Sequence, residues 1–343
     1  MPIFNRYSDL LQSIEHKGHK PRVLGRAPDG APIVSIKTGG EKEPAIFISA
    51  GSHSTEHAGV GAAVDLIDQL ETEHQTYVIP CRDPMGLNGF AYVLSLSLGE
   101  EPSLASEADV EAILREQGEV VYEESETLLV IIGEYGYSTR GLYGRLKDSA
   151  HLLAPLKGRR IFFPSRAEGV EGTLPCQRAY TLVVNPAGEV LHINRFHDTP
   201  WAPVESRCTR NLMAEIHPGL TLDLHEHGGA GFWFSARHQR NDDDEKWEQR
   251  MADEIIQAVS ESGAELMPED YLPGSFFTTG QRSVYWLNPQ KRGEGLNLAD
   301  FAASKYGPSF TIETGMSGGF QRRVGNAMLA AQTAVKVFEE RHA

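Results

Sequence analysis

A histidine and a glutamate lie three residues apart, at His53 and Glu56, directly after the apolar stretch 45–50. That stretch is rich in β-branched and aromatic residues, which predicts a buried strand ending at Gly51 and Ser52. Both side chains would then leave a loop at the end of a strand, where they can reach one divalent cation. The spacing is common by chance, so a metal site also requires a third ligand and a base.

A third metal ligand is available at His225, which the apolar segment 220–225 places at the carboxyl end of another predicted strand. Asp223 lies two residues earlier, so both side chains share one face of the strand and the carboxylate can orient the imidazole. Two histidines and one glutamate leave a coordination position open, which is typical of a catalytic zinc site. His57 and His227 are alternative ligands.

Two further segments carry polar groups suited to hydrolysis. Glu313 ends the apolar and threonine-rich segment 309–313 beside a glycine, which favours a general base or, alternatively, a salt-bridged strand terminus. Asn194 and Arg195 place an amide beside a guanidinium fork, a combination that suits a substrate carboxylate. A lone surface arginine is the alternative interpretation of this pair.

The composition excludes several classes of protein. The 343 residues are 40% hydrophobic and 23% charged, with a formal net charge of -15, which argues against nucleic acid or an anionic membrane surface as a partner. Cys81, Cys176 and Cys208 fit neither a disulfide framework nor a cysteine zinc site, so we expect buried thiols. Neither a signal-peptide pattern nor an apolar run of membrane-spanning length is present in the sequence, so a cytoplasmic protein is expected.

The elements that must position these residues alternate between strand and helix. This order predicts an α/β fold with a mixed, largely parallel central sheet flanked by helices, and ligands beyond the carboxyl ends of strands. One domain over 1–343 is expected, with a large elaboration or insertion at 89–190. The predicted helices cover 7–16, 59–70, 107–117, 204–216, 243–260 and the C-terminal segment, and the predicted strands include 22–25, 33–36, 45–50, 77–80, 220–225, 232–234 and 309–313. The elaboration also contains apolar runs at 128–132 and 161–164.

Four motifs in one order carry a family resemblance. His-x-x-Glu at 53–56, Asn-Arg at 194–195, Asp-Leu-His at 223–225 and Thr-Ile-Glu-Thr-Gly at 311–315 together resemble the zinc metallocarboxypeptidase family. Its aspartoacylase and succinylglutamate desuccinylase relatives are included in the resemblance. The similarity runs over nearly the whole chain outside 89–190, and it implies a carboxypeptidase-like fold.

The resemblance also implies roles for individual residues. Zinc would be bound by His53, Glu56 and His225. Glu313 would act with zinc to activate water and would later deliver a proton to the leaving amine. The remaining implied roles are a substrate carboxylate held by Asn194 and Arg195, and a scissile carbonyl polarised by Arg178, with Arg140 and Arg145 as competing candidates.

Some positions depart from the family pattern. The loop after the second core strand, usually similar to Asn-Pro-Asp-Gly, is replaced by Arg-Asp-Pro-Met-Gly-Leu-Asn-Gly at 82–89. The active-site tyrosine has no clear counterpart, and Tyr285 is the position we name for it. Asp300 would either shape the specificity pocket or cap a helix.

Together with the residues, the resemblance implies a zinc metalloprotease that hydrolyses an amide bond next to a free carboxylate, most directly a metallocarboxypeptidase. An N-acyl amino acid deacylase uses the same metal, water and base, and a non-catalytic zinc-binding or ligand-binding relative is the third hypothesis. Cobalt or manganese fits the same ligands as zinc. The side-chain preference and the oligomeric state are left open by the sequence.

Overall fold

The computed structural model of the protein describes residues 3–142, 150–165, 178–237, 241–288 and 296–343. Cys81 and Cys208 are buried as predicted, and both are free thiols. The predicted positions Arg145 and Cys176 lie outside the described residues. Within the described ranges, no helix combines the length and the apolar character that a membrane span requires.

Helices and strands alternate along most of the described chain. The helices are α1 (Tyr7–His16), α2 (His57–Gln69), α3 (Pro84–Leu87), α4 (Phe90–Leu98), α5 (Glu107–Gln117), α6 (Val204–Ile216), α7 (Asp242–Glu261), α8 (Leu298–Lys305) and α9 (Phe320–Arg341). The strands are β1 (Arg22–Arg26), β2 (Pro32–Gly39), β3 (Lys42–Ala50), β4 (His74–Ile79), β5 (Glu119–Glu124), β6 (Thr127–Ile132), β7 (Tyr135–Ser138), β8 (Arg160–Ser165), β9 (Arg178–Val184), β10 (Val190–His192), β11 (Leu220–His227), β12 (Trp233–Arg237), β13 (Phe277–Gln281), β14 (Val284–Leu287) and β15 (Ser309–Gly315). Short 3-10 turns cover Ala150–Leu156 and Ile193–Arg195.

The larger sheet has the strand order β1-β2-β4-β3-β11-β15-β12-β14-β13. Its four central strands, β4, β3, β11 and β15, are parallel to one another. Antiparallel pairings flank this block on both sides, at β2 with β4 and at β12 with β15. The predicted mixed α/β fold is therefore confirmed, and its parallel character lies in the centre of the sheet.

Successive side chains of the central strands point to opposite faces of the sheet, so one face packs on the main core and the other carries the candidate site residues. Phe310 and Ile312 of β15 are fully buried in the main apolar core, to which α2, α7 and α9 also contribute. Thr311 and Glu313 alternate with them, so they face the other side of the sheet. On that side, α6 and α8 pack with Phe47 of β3 in a separate apolar cluster.

A second sheet of six strands, in the order β10-β9-β8-β7-β6-β5, is formed by residues 119–192. It is antiparallel except for the parallel pair β7 and β8. Leu129, Ile161 and Leu182 belong to an apolar cluster of its own. The predicted elaboration at 89–190 therefore contains nearly all of a sheet, while the single-domain description of 1–343 stays a prediction.

Most of the elements predicted from hydrophobic periodicity are present with nearly the predicted bounds. The elements that were not predicted are α3, α4, α8, β13 and β14, together with the strands of the second sheet, two of which coincide with the apolar runs 128–132 and 161–164. The edge strand β13 alternates between intermediate and exposed residues and includes threonine and glycine, so it carries little apolar signal. Helix α8 has only eight residues, too few to show a clear helical period.

Helix α2 approaches β11 closely because its first turns carry small residues. A β-carbon added to Gly59 would lie 2.8 Å from the carbonyl oxygen of Leu224. His225 follows Leu224 directly, so the close helix-to-strand contact also fixes the strand end that carries a candidate metal ligand.

We expect Gly59→Ala to lower the free energy of unfolding by about 1–3 kcal/mol, because a backbone carbonyl cannot yield easily to the added methyl group. Gly325→Ala is the matched control, since Gly325 lies inside α9 and, apart from its chain neighbours and the backbone of its own helix, no described atom lies within 4 Å of its added β-carbon. This control should raise stability by about 0.5–1 kcal/mol through helix propensity. Urea unfolding of both variants measures the difference, and equal effects would contradict the close contact.

Candidate active site

The first two predicted ligands sit on the turn between β3 and α2. Gly51, with φ +63°, allows the chain to leave β3 in a left-handed conformation that favours glycine. The amide of Glu56 then donates to the carbonyl of His53 at 3.1 Å, which closes a turn. As a result, His53 Nδ1 lies 2.6 Å from Glu56 Oε1.

The third predicted ligand reaches the same carboxylate from β11. His225 Nδ1 lies 2.8 Å from Glu56 Oε2. One ligand atom from each of the three residues lies within 4.8 Å of the other two, and their side chains are 13%, 8% and 2% exposed for His53, Glu56 and His225. Two imidazole nitrogens and one carboxylate that converge in this way form a donor set that fits zinc.

A carboxylate supports His225 from behind. Asp223 Oδ2 lies 2.8 Å from His225 Nε2, so the ring presents Nδ1 to Glu56 and Nε2 to Asp223. Although burial disfavours the charged imidazole, the negative charges of Asp223 and Glu56 raise the pKa of His225 well above its usual value. The carboxylate thereby orients the ring and increases its basicity as a ligand.

Asp223 in turn depends on the fully buried guanidinium of Arg82. Arg82 Nη2 donates to Asp223 Oδ2 at 3.0 Å and to Asn194 Oδ1 at 2.9 Å, and Nη1 lies 3.1 Å from His197 Nε2. Burial opposes ionisation of Asp223, but the charges of Arg82 and His225 hold the pKa of Asp223 well below its usual range. Sequence reasoning included Arg82 only as part of a loop, although it follows β4 just as His53 follows β3.

The two residues predicted to bind a substrate carboxylate face different surroundings. Asn194 is buried, and its Oδ1 accepts hydrogen bonds from Arg82 and, at 3.1 Å, from the amide of Leu298. Arg195 is only partly buried, and its positive charge contributes to lowering the pKa of His53. Arg195 therefore lies near the metal ligands with a more accessible side chain, while the role of both residues in substrate binding stays a prediction.

Glu313 lies beside His225, because the parallel pairing of β11 and β15 sets these two residues in register. Burial raises the pKa of Glu313 to about 8, and the negative charges of Glu56 and Asp223 add to this effect, whereas His225 opposes it. Among the described residues, no hydrogen-bond partner reaches the buried Oε2 of Glu313. A carboxylate with a raised pKa next to a cation site is suited to accept and donate a proton.

Arg178 and Arg140, both predicted as candidates for the arginine that polarises the carbonyl, lie in different surroundings. Arg178 is buried at the start of β9, and its Nη2 donates to Asn5 Oδ1 at 3.0 Å. The described hydrogen bonds of Arg178 do not include one to a metal ligand. Arg140 forms an ion pair of 2.8 Å with Glu126.

The alternative histidine ligands lie outside the cluster of three. His57 is buried at the start of α2, where burial and the charge of Arg178 lower its pKa well below the usual value. His227 Nε2 lies 2.6 Å from the carbonyl oxygen of Gly231, which occupies that ring nitrogen.

A tyrosine near the site is Tyr271, which sequence reasoning did not identify. Burial raises the pKa of Tyr271, and the charge of Glu313 adds to the shift, so the two side chains lie near each other. Its hydroxyl lies 3.2 Å from His227 Nδ1. Tyr285, named from the sequence, is fully buried and donates to the carbonyl of Pro268.

Asp300 lies close to Arg195 in space. Burial raises the pKa of Asp300 to about 6, and the charges of Arg195 and Arg237 oppose the shift. The cap of α8 is Asn297, whose Oδ1 accepts from the amide of Asp300 at 2.7 Å. Asp300 is therefore not the capping residue, and a place in a substrate pocket stays a prediction.

No protein-family model matches this chain, and no curated protein matches it. Solved structures are similar in fold. A metallo-carboxypeptidase from Burkholderia cenocepacia has a TM-score of 0.53 and 11% identity, covering 98% of this chain and 69% of that one. A metallo-carboxypeptidase from Pseudomonas aeruginosa in complex with (2-guanidinoethylmercapto)succinic acid has a TM-score of 0.52 and 13% identity, covering 97% and 68%.

Bovine thrombin-activatable fibrinolysis inhibitor, in complex with tick carboxypeptidase inhibitor, has a TM-score of 0.51 and 13% identity, covering 97% of this chain and 96% of that one. These likenesses confirm the predicted zinc carboxypeptidase-like fold. At identities this low they are evidence about the fold alone, so activity and substrate must be argued from the residues of the site.

We expect Arg82→Met to lower the free energy of unfolding of the metal-free protein by about 3–5 kcal/mol, because it leaves the buried Asp223 without its cation. Arg22→Met is the control, since the ion pair of Arg22 with Glu215, 2.6 Å long, is half exposed. The control should change stability by less than about 1 kcal/mol. Urea unfolding at pH 7 measures both.

The same experiment has an expected pH dependence. Because the folded-state pKa of Asp223 is lowered, its contribution is present above the unfolded value near ~4 and is lost as the pH falls through the folded value. The stability difference between wild type and Arg82→Met should therefore narrow below about pH 4. A difference that is small at pH 7, or that widens in acid, would contradict the buried ion pair.

Proposed function

We propose that the protein is a zinc-dependent hydrolase of an amide bond next to a free carboxylate, most directly a metallocarboxypeptidase. The observation that carries the proposal is the convergence of ligand atoms from His53, Glu56 and His225 within 4.8 Å of one another. Glu313 lies on the neighbouring strand β15, directly in register with His225. Three protein ligands with an open coordination position are typical of a catalytic zinc site, and a nearby carboxylate can serve as its base. The fold likeness to metallo-carboxypeptidases supports the same class.

The donor set favours zinc among common cations. Two imidazoles and one carboxylate suit zinc, whereas magnesium and calcium prefer oxygen ligands, and cobalt or manganese can occupy zinc ligands. When bound, zinc supplies Lewis-acid chemistry, because it acidifies water and polarises a carbonyl. Asp223 holds His225 in the tautomer that leaves Nδ1 available for a cation.

In this proposal, Glu313 moves the proton. Its pKa of about 8 in the metal-free protein reflects burial among carboxylates, and a cation held by His53, Glu56 and His225 would lower that pKa. Glu313 would then be ionised at neutral pH, able to accept a proton from the attacking water and pass it to the leaving amine.

Arg195 would recognise the free carboxylate. Its guanidinium is partly exposed, and its positive charge acts on His53. A planar guanidinium donates two parallel hydrogen bonds to a carboxylate, which fixes the position of the bond to be cleaved. Asn194 would position Arg195, because its own amide is held by Arg82 and by the backbone of Leu298.

A second candidate function is deacylation of an N-acyl amino acid. It is favoured by the way the second sheet reaches the metal ligands. Tyr180 of β9 stacks on the ring of His53 with centroids 5.2 Å apart, and His192 of β10 contacts the same ring. Side chains from two sheets would restrict the space above the site, which suits a small acylated amino acid better than a long peptide.

We expect Glu313→Gln to reduce turnover by about 10²–10⁴-fold while zinc still binds, because the amide cannot accept the proton. His225→Ala should abolish both turnover and stoichiometric zinc, since it removes a ligand. The measurements are metal content after dialysis and hydrolysis rates on a panel of dipeptides, longer peptides and N-acyl amino acids. Wild-type turnover in Glu313→Gln would rule out this base, and unchanged zinc in His225→Ala would rule out this ligand set.

We expect Arg195→Met to remove the preference for substrates with a free carboxylate. Wild type should favour the free acid over its amidated counterpart by about 10–100-fold in kcat/KM, the value of a charge-assisted hydrogen bond, and the variant should not. The same panel in free-acid and amidated forms measures this ratio and identifies the substrate class. A variant that keeps the preference would show that another cation binds the carboxylate.

A further inference from the structure

His192 forms a direct contact with a candidate metal ligand from the second sheet. It is the last residue of β10, is 6% exposed, and its Nδ1 lies 2.7 Å from His53 Nε2. The two rings meet edge-on, with centroids 4.5 Å apart and planes at 66°. The distance and the orientation are those of a hydrogen bond between two imidazoles.

The tautomers of the two rings follow from the geometry. His53 presents Nδ1 to Glu56 Oε1 at 2.6 Å, on the side where the three ligands converge. A nitrogen that ligates a metal carries no proton, so the proton of a neutral His53 must be on Nε2. His53 Nε2 then donates to His192 Nδ1, which accepts through its lone pair.

The two histidine ligands are therefore supported by different chemistry. His225 Nε2 contacts a carboxylate, Asp223 Oδ2, at 2.8 Å, whereas His53 Nε2 contacts an imidazole. A carboxylate acceptor makes the donating imidazole a more basic metal ligand. A neutral nitrogen acceptor orients the ring but supplies no negative charge.

We propose that His192 is a positioning residue that fixes His53 in its metal-ligating tautomer and, as a neutral acceptor, sets the zinc affinity below the value that a carboxylate would give. The inference rests on the metal site of the proposed function. It makes His53 the weaker of the two histidine ligands, and the contact between the two sheets becomes a determinant of metal affinity.

Substitution at His192 can separate charge from geometry. The contacting atom is Nδ1, which is bonded to Cγ, and the Oδ1 atoms of aspartate and asparagine are also bonded to Cγ. His192→Asp and His192→Asn thus place an acceptor oxygen near the same point, and only the aspartate is charged. The charge of Arg195 acts on His192 and would stabilise the introduced carboxylate.

The experiment is titration of Zn²⁺ into the apo forms of wild type and variants, in competition with a chromophoric chelator. We expect His192→Asp to bind zinc about 10–100-fold more tightly, His192→Asn to stay within about threefold of wild type, and His192→Leu to bind about 10–100-fold more weakly. Equal affinities for the aspartate and asparagine variants, or wild-type affinity in His192→Leu, would overturn the proposal.

The outcomes also separate this inference from the proposed function. If wild type binds no stoichiometric zinc, the metal site itself fails; if zinc binds but the variants do not rank as expected, only the role of His192 fails. If a variant does not fold, a second measurement on zinc-loaded wild type tests the same hydrogen bond. There, ¹⁵N NMR should detect coupling between His53 Nε2 and His192 Nδ1 across the hydrogen bond, and its absence would contradict the proposal.

Discussion

The buried ion pair between Arg82 and Asp223 is the interaction on which the candidate site depends. Both side chains are fully buried, so each charge is tolerated because the other compensates it. The pair connects the loop after β4 to β11, and Arg82 also holds the amide of Asn194. The carboxylate of Asp223 that binds Arg82 also contacts His225 and orients its ring. One charge pair thus links the sheet, the Asn-Arg segment and a metal ligand.

The site residues that could be predicted from the sequence are those at the carboxyl ends of the parallel strands. Four strands run in one direction, so their carboxyl ends meet at one edge. Each strand is marked locally by an apolar run that ends in polar residues, which is how His53, His225 and Glu313 were found. Their convergence needed only the expectation that these strands are neighbours in one sheet.

The part that was missed depends on contacts between segments far apart in the chain. Arg82 meets Asp223 across 141 positions, and His192 meets His53 across 139. Neither contact has a local periodicity, and His192 arrives on a separate sheet whose docking is not encoded in any one motif. Tyr271 lies in a loop outside any strand or helix, so hydrophobic pattern carries no information about it.

Charge balance at the site explains why these groups tolerate burial together. Glu56, Asp223 and Glu313 bring three carboxylates to one edge of the sheet, and Arg82 compensates mainly Asp223. The uncompensated negative charge affects Glu313, whose pKa rises to about 8 because burial and neighbouring carboxylates disfavour its ionised form. Protonation of Glu313 relieves that repulsion in the metal-free protein, and a dication held by the other ligands would relieve it instead. The same excess of negative charge therefore favours metal binding and makes the ionisation of the proposed base depend on it.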